Sequence, residues 1–163
     1  MILPDVLQPN LKVVFCGTAA GDASAKRKAY YAGPGNKFYK TLFKCGLIDR
    51  LLVPEEFKTL PKYGIGLTDV AKFVHGNDNQ IKHTDYDPEA FIAKIEKYQP
   101  KWVCFNGKEA ASRVTGIKTK QLTYGTLTHK IGLTKLYLAP STSGSANKYW
   151  DESYWEKLKN LLG

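Results

Sequence analysis

Between Val13 and Tyr39 the chain reads VVFCGTAAGDASAKRKAYYAGPGNKFY, and one acid stands alone in a run of small residues. The two glycines and four alanines of GTAAGDASA expose backbone N–H groups and let a flat or anionic ligand come close. Gly21 and Asp22 sit at the centre of that run. A carboxylate there can act as a catalyst, cap a helix or solvate a turn. The run lacks the third glycine of a dinucleotide fingerprint and the lysine of a phosphate loop. Lys26, Arg27 and Lys28 follow, beside Tyr30 and Tyr31. Cations next to aromatic rings suit a site that holds phosphates and stacks a base, and a charge run of this kind also serves as a plain solvated face.

A second candidate is PSTSGSAN, Pro140 to Asn147. Ser141, Thr142, Ser143 and Ser145 offer small hydroxyls and backbone amides that suit a phosphate backbone, in a composition equally common in connecting loops. His75, His83 and His129 form no metal-ligand spacing, and a surface or core role is expected for each. Cys16, Cys45 and Cys104 lie far apart with no CxxC pair. That usage suits reduced cytoplasmic thiols, and no metal or cofactor is expected.

The elements that must carry these residues are legible in outline. LKVVFCG, KWVCFNG and KLYLAPS read as buried strands, and GNKFYKTLFKCGL, DPEAFIAKIEKYQP and KEAASRV as helices. The last stretch, YWDESYWEKLKNLLG, sets Trp150, Tyr154, Trp155, Leu158, Leu161 and Leu162 on one helical stripe. Strands alternating with helices predict an α/β layered domain with a mostly parallel sheet. Ligands of such sheets bind beyond the carboxyl ends of the strands, where GTAAGDASA, NGKEA and APSTSGSAN converge.

Composition sets the class of partner. At 163 residues the chain is expected to form one domain, 1–163, with a proper core. No apolar run is long enough to span a bilayer, and MILPDVLQPN does not read as a signal peptide. Twenty-four Lys and Arg against fifteen Asp and Glu give a net charge of +9. That balance favours a polyanion, because cations on phosphates release counterions.

Five segments in order resemble the mismatch-specific uracil/thymine-DNA glycosylases of the uracil-DNA glycosylase superfamily. LKVVFCGTAAGDASA parallels the first motif, a strand followed by G-I-N-P-G and a small-residue run. AGPGNKFYKTLFKCGL matches the H-P-x-N-x-F-W helix, YGIGLTDV the G-x-G-[VF]-T segment, FNGKEA the F-N-G-K segment, and YLAPSTSGSA the M-P-S-S-S loop. The correspondence runs from about Leu11 to Trp150. It implies an α/β/α sandwich around a mostly parallel four-stranded sheet, and a cytoplasmic, monomeric enzyme without cofactor. Such an enzyme flips uracil out of single- or double-stranded DNA and hydrolyses its N-glycosidic bond. Removal of another damaged base, such as hypoxanthine or ethenocytosine, and binding of damaged DNA without catalysis are the alternatives.

Carried over position by position, the resemblance implies that Tyr31 stacks on the flipped base. Asn36 and Phe38 belong to the helix that follows, and Pro140, Ser141, Thr142 and Ser143 to the loop that grips the strand. Ser145 falls near the intercalating position, where serine is a poor wedge, so weaker duplex penetration or a preference for single strands follows. The water-holding Asn of the family aligns with Ala19 and its Pro with Ala20. Either Asp22 has taken over as the water-activating carboxylate, or the chain binds without cutting. Asp69 stands in GLTDV where relatives have Lys or Asn facing the base; ionised, it accepts from uracil N3–H and repels the carbonyls. Asn106 offers a donor and an acceptor to a pyrimidine edge, or closes the turn in FNGK. No lysine is set as a nucleophile in a strand-end motif, although Lys26, Lys28 and Lys108 leave a lyase side-activity open.

Overall fold

The computed structural model describes residues 1–163. Five strands, β1 (Val13–Gly17), β2 (Ile65–Asp69), β3 (Trp102–Asn106), β4 (Gly125–Ile131) and β5 (Thr134–Ala139), form one sheet in the order β2-β1-β3-β5-β4. All neighbours pair in parallel except β4, which runs antiparallel to β5. The helices are α1 (Asp22–Arg27), α2 (Phe38–Lys44), α3 (Pro88–Tyr98), α4 (Lys108–Thr115) and α5 (Ser153–Leu162). None is long and apolar enough to cross a membrane.

The apolar run of β1 serves two cores because successive strand residues point to opposite faces. Val13 and Phe15 join Ile65, Leu67, Cys104 and Tyr137 against Phe38 and Leu42 of α2 and Trp155 and Leu158 of α5. Val14 and Cys16 join Val103, Phe105, Leu136 and Leu138 against Phe91 and Ile95 of α3 and Ala110 and Ala111 of α4. Every β1 residue is buried, which is why the strand reads as a continuous hydrophobic run rather than an alternation. The result is the expected α/β/α sandwich.

The sheet has five strands where four are expected. The difference is β4, whose sequence GTLTHKI carries Thr, His and Lys and buries only Ile131. As an edge strand with one face in water it needs no apolar run, so nothing in its composition announces it. The helices begin and end as their sequences direct. Asp87 caps α3 by accepting from the Ala90 amide at 3.0 Å, and Gln99 closes it in the left-handed region before Pro100. In α5, Trp155 and Leu158 are fully enclosed, while Leu161 of the predicted stripe faces solvent.

Strand register positions the site. Gly17 pairs with Asp69, Cys16 with Phe105, and Asn106 with Ala139. Asp69, Gly17, Asn106 and Ala139 therefore stand in one row along the carboxyl edge of the sheet.

Candidate active site

A cleft of about 720 Å³ opens over that row. Its walls come from the loop between β1 and α1, the turn holding Tyr31, Gly33 and Asn36, the start of α4, and the loop after β5.

Asp22 is the first residue of α1 and lines the cleft with a side chain 72% exposed. Its Oδ1 lies 2.8 Å from Nδ1 of His75, on the chain that leaves β2. The two loops are joined through the backbone as well: Ala20 and His75 form an isolated parallel bridge, and Gly76 N–H donates to the Ala20 carbonyl at 2.9 Å. Thr18 extends the seam by donating to Asp78 Oδ1 at 2.6 Å. Ala19 lines the cleft with a methyl side chain that cannot hold a water.

Tyr31 has a left-handed backbone (φ 55°) that turns its ring into the site. The ring packs on Phe38 with centroids 4.1 Å apart and planes tilted by 33°. Its hydroxyl is enclosed and has no hydrogen-bond partner, so the open part of the residue is the ring. Burial pushes the phenol well above its ordinary pKa, with Asp69 adding to the effect, so it remains a donor.

Asp69 ends β2 and is 5% exposed, lining the cleft. Burial pushes its carboxyl up to about 6; Lys72 and Lys94 pull it down, and Asp5 pushes it up. Gly17 gives it room: a Cβ there would stand 2.8 Å from Asp69 Oδ1 and 3.5 Å from the Tyr31 hydroxyl. Close by lies an ion cluster that no sequence pattern announced. Asp5 meets Lys72 at 2.9 Å and Lys94 at 2.7 Å, accepts from Thr68 at 2.7 Å, and Lys72 donates to the Tyr30 hydroxyl at 2.9 Å.

Asn106 and Thr142 form a reciprocal pair. The Asn106 amide donates to the Thr142 hydroxyl at 3.0 Å and accepts from the Thr142 amide at 2.9 Å. Thr142 is fully buried, so its side chain anchors the loop and offers nothing to a bound strand. Ser141, Ser143 and Ser145 remain at the surface or partly so, and Ser143 Oγ lies 2.9 Å from Ser145 Oγ. Asn36 accepts from the amide of Phe38, the first residue of α2, at 3.0 Å, while the neighbouring Lys37 amide donates to the Thr142 carbonyl at 2.9 Å.

The cationic triplet is divided. Lys26 and Lys28 are exposed and carry no ion pair. Arg27 is tied down by two 2.8 Å hydrogen bonds to Glu55 and one of 2.9 Å to the Ala32 carbonyl. Sequence reasoning passed over His75 as the partner of Asp22, and over Lys120 and Tyr149 as cleft residues. Only the fold brings these segments together; the basic residue in KTK and the aromatic after the serine loop are the signals that could have pointed to the last two.

The architecture is that of the solution NMR structure of a candidate uracil DNA glycosylase from Methanosarcina acetivorans. The two superpose with a TM-score of 0.66 over 98% of this chain and 96% of that one, at 24% identity. The family model of the uracil DNA glycosylase superfamily matches residues 4–160. The chain belongs to that superfamily, whose members act on DNA as glycosylases.

Proposed function

We propose that this protein is a DNA repair hydrolase that removes uracil from DNA and leaves an abasic site. The observation that carries the reading is the open ring of Tyr31 and the carboxylate of Asp22 lining one cleft at the carboxyl edge of the sheet.

A base inside a duplex cannot be attacked in place, so it must be swung into the cleft at a cost of a few kcal/mol of unstacking. The ring of Tyr31 gives the extruded base a π face to rest on. Lys26 and Lys28, with the hydroxyls of Ser141, Ser143 and Ser145, supply phosphate contacts that offset the unstacking. Cleavage of the C1′–N bond leaves a cationic sugar and an anionic base. Asp22 then acts twice: its negative charge stabilises the sugar, and it takes the proton of the attacking water. His75 holds the carboxylate in place.

The test is cleavage of labelled oligonucleotides carrying uracil in single strands, U:A and U:G, with alkali used to break abasic sites. Cleavage that Asp22→Asn slows by about 10²-fold or more is the expected result. Tight binding to these oligonucleotides without cleavage would replace this reading with that of a damage-binding protein.

A further inference from the structure

Asp69 is a group the scheme above does not use. It is almost fully enclosed, its carboxyl makes no hydrogen bond or ion pair of its own, and it opens onto the floor of the cleft. Beside it the Tyr31 hydroxyl is enclosed and makes no hydrogen bond. Both border the space above Gly17, where a Cβ would touch one at 2.8 Å and the other at 3.5 Å. Buried polar atoms are almost always paired, so an unpaired carboxyl lining the cleft points to a ligand with matching groups.

We propose that Asp69 meets the departing base as a neutral carboxylic acid, donating a hydrogen bond to the carbonyl oxygen on which negative charge collects. The proposal rests on the glycosylase reading and names the substrate class of that site: a base with a lactam edge, N–H beside C=O, as uracil has. A carboxylic acid fits that edge with two hydrogen bonds, its O–H to the carbonyl and its own carbonyl to the N–H. An ionised carboxylate keeps the second bond and sets like charges against each other in place of the first.

The C1′–N bond breaks with its electron pair passing to the base, and the Asp69 O–H stabilises the resulting anion. The base takes up that proton as it leaves. Water oxygen bonds to C1′ and gives its proton to Asp22. Solvent then removes the proton from Asp22 and returns one to Asp69, so the net reaction is hydrolysis.

The surroundings keep the proton within reach. Burial raises Asp69 to about 6, with Asp5 of the N-terminal segment acting in the same direction, against Lys72 after β2 and Lys94 of α3. Tyr30 and Tyr31 on its side of the sheet, and Cys16 on the other, are neutral groups, all raised by burial. Since the folded pKa lies above the usual carboxylate value, the neutral form is present below it and lost as pH rises through it. A seated base excludes water and moves the transition higher still.

The experiment is the pH dependence of single-turnover cleavage of a uracil oligonucleotide by the wild type and by Asp69→Asn. In the wild type kcat/KM should fall about tenfold per pH unit above a pH near that of the free carboxyl, while kcat falls only at higher pH. Asparagine keeps a donor that does not titrate, so the descending limb should vanish in the variant. A wild-type profile that stays flat there, or the same limb in both proteins, overturns the proposal and leaves the uracil reading standing. Calorimetry of free uracil binding, in buffers of different ionisation enthalpy, serves as a second readout independent of cleavage. Uptake of up to one proton near pH 7 by the wild type and none by Asp69→Asn is expected. Absence of uptake, or of uracil binding, overturns the proposal. Failure to cleave uracil at any pH instead removes the glycosylase reading.

Discussion

His75 Nδ1 stands 2.8 Å from Asp22 Oδ1, and the backbone bridge between Ala20 and His75 holds the two loops in register behind that contact. The carboxylate is largely in water, so its orientation is set by this one partner. Asp22→Asn removes the base that takes the water proton and should slow cleavage by about 10²- to 10⁴-fold. His75→Ala leaves the carboxylate but frees it to rotate, and a loss of ~10- to 100-fold is expected. His75→Asn restores a donor and should recover part of the rate. Single-turnover rates with saturating enzyme provide the measurement; DNA affinity should stay within about twofold in all three.

Asp69 also sets how stability depends on pH. Its folded pKa of about 6 lies above the ordinary value of 3.8. Between those values the folded chain holds more protons than the unfolded one, so stability declines as pH rises from about 4 to about 6 and stays low above. Asp69→Asn removes the penalty and should stabilise the protein by up to ~3 kcal/mol at pH 8, with little gain at pH 4. Urea denaturation of both proteins across that range is the check. An equal gain at every pH would mean that the variant stabilises by packing rather than by relieving an ionised group.

The ion cluster near it predicts the opposite slope. Burial pushes the Asp5 carboxyl up, but Lys94, Lys72 and Thr68 outweigh it and hold the group below the ordinary range. A lowered folded pKa contributes stability above the unfolded value, and that contribution is lost as pH falls through the folded one. Asp5→Asn leaves Lys72, which is 7% exposed, without its anion. Removing one partner of such a buried pair costs about 3–5 kcal/mol, and thermal unfolding at pH 7 should show it as a large drop in Tm.

The two kinds of information in the sequence were unequally legible. β1, β3 and β5 are buried on both faces and therefore announce themselves as apolar runs, ending at Gly17, at Asn106 and at Ala139 before Pro140. β2 contains two polar residues in five, and β4 is half in water, so neither gives such a run. The crevice followed from the parallel topology, which puts GTAAGDASA, NGKEA and the serine loop on one edge. Contacts between loops did not follow. The Asp22–His75 and Asn106–Thr142 pairs span 53 and 36 residues, and no periodicity encodes a distance of that kind. Composition also treats Lys26, Arg27 and Lys28 as equals, although Glu55 and the Ala32 carbonyl immobilise the middle one.

The Asn106–Thr142 pair fixes the serine loop to the end of β3, and the loop in turn lies against the turn before α2 through the Lys37 amide. Thr142→Val keeps the shape and removes the hydroxyl, leaving the Asn106 amide partly unpaired at a cost of about 1–3 kcal/mol. Asn106→Ala removes both side-chain bonds and also strands the buried Thr142 amide, so the larger loss is expected there. Because Ser141, Ser143 and Ser145 ride on this anchor, Asn106→Ala should weaken binding of a uracil oligonucleotide more than a Ser143→Ala change does. Loosening the loop loses several phosphate contacts together, whereas one serine carries a single contact. Fluorescence anisotropy titrations at fixed salt measure both. Equal affinities for wild type and Asn106→Ala would show that the loop does not hold the strand.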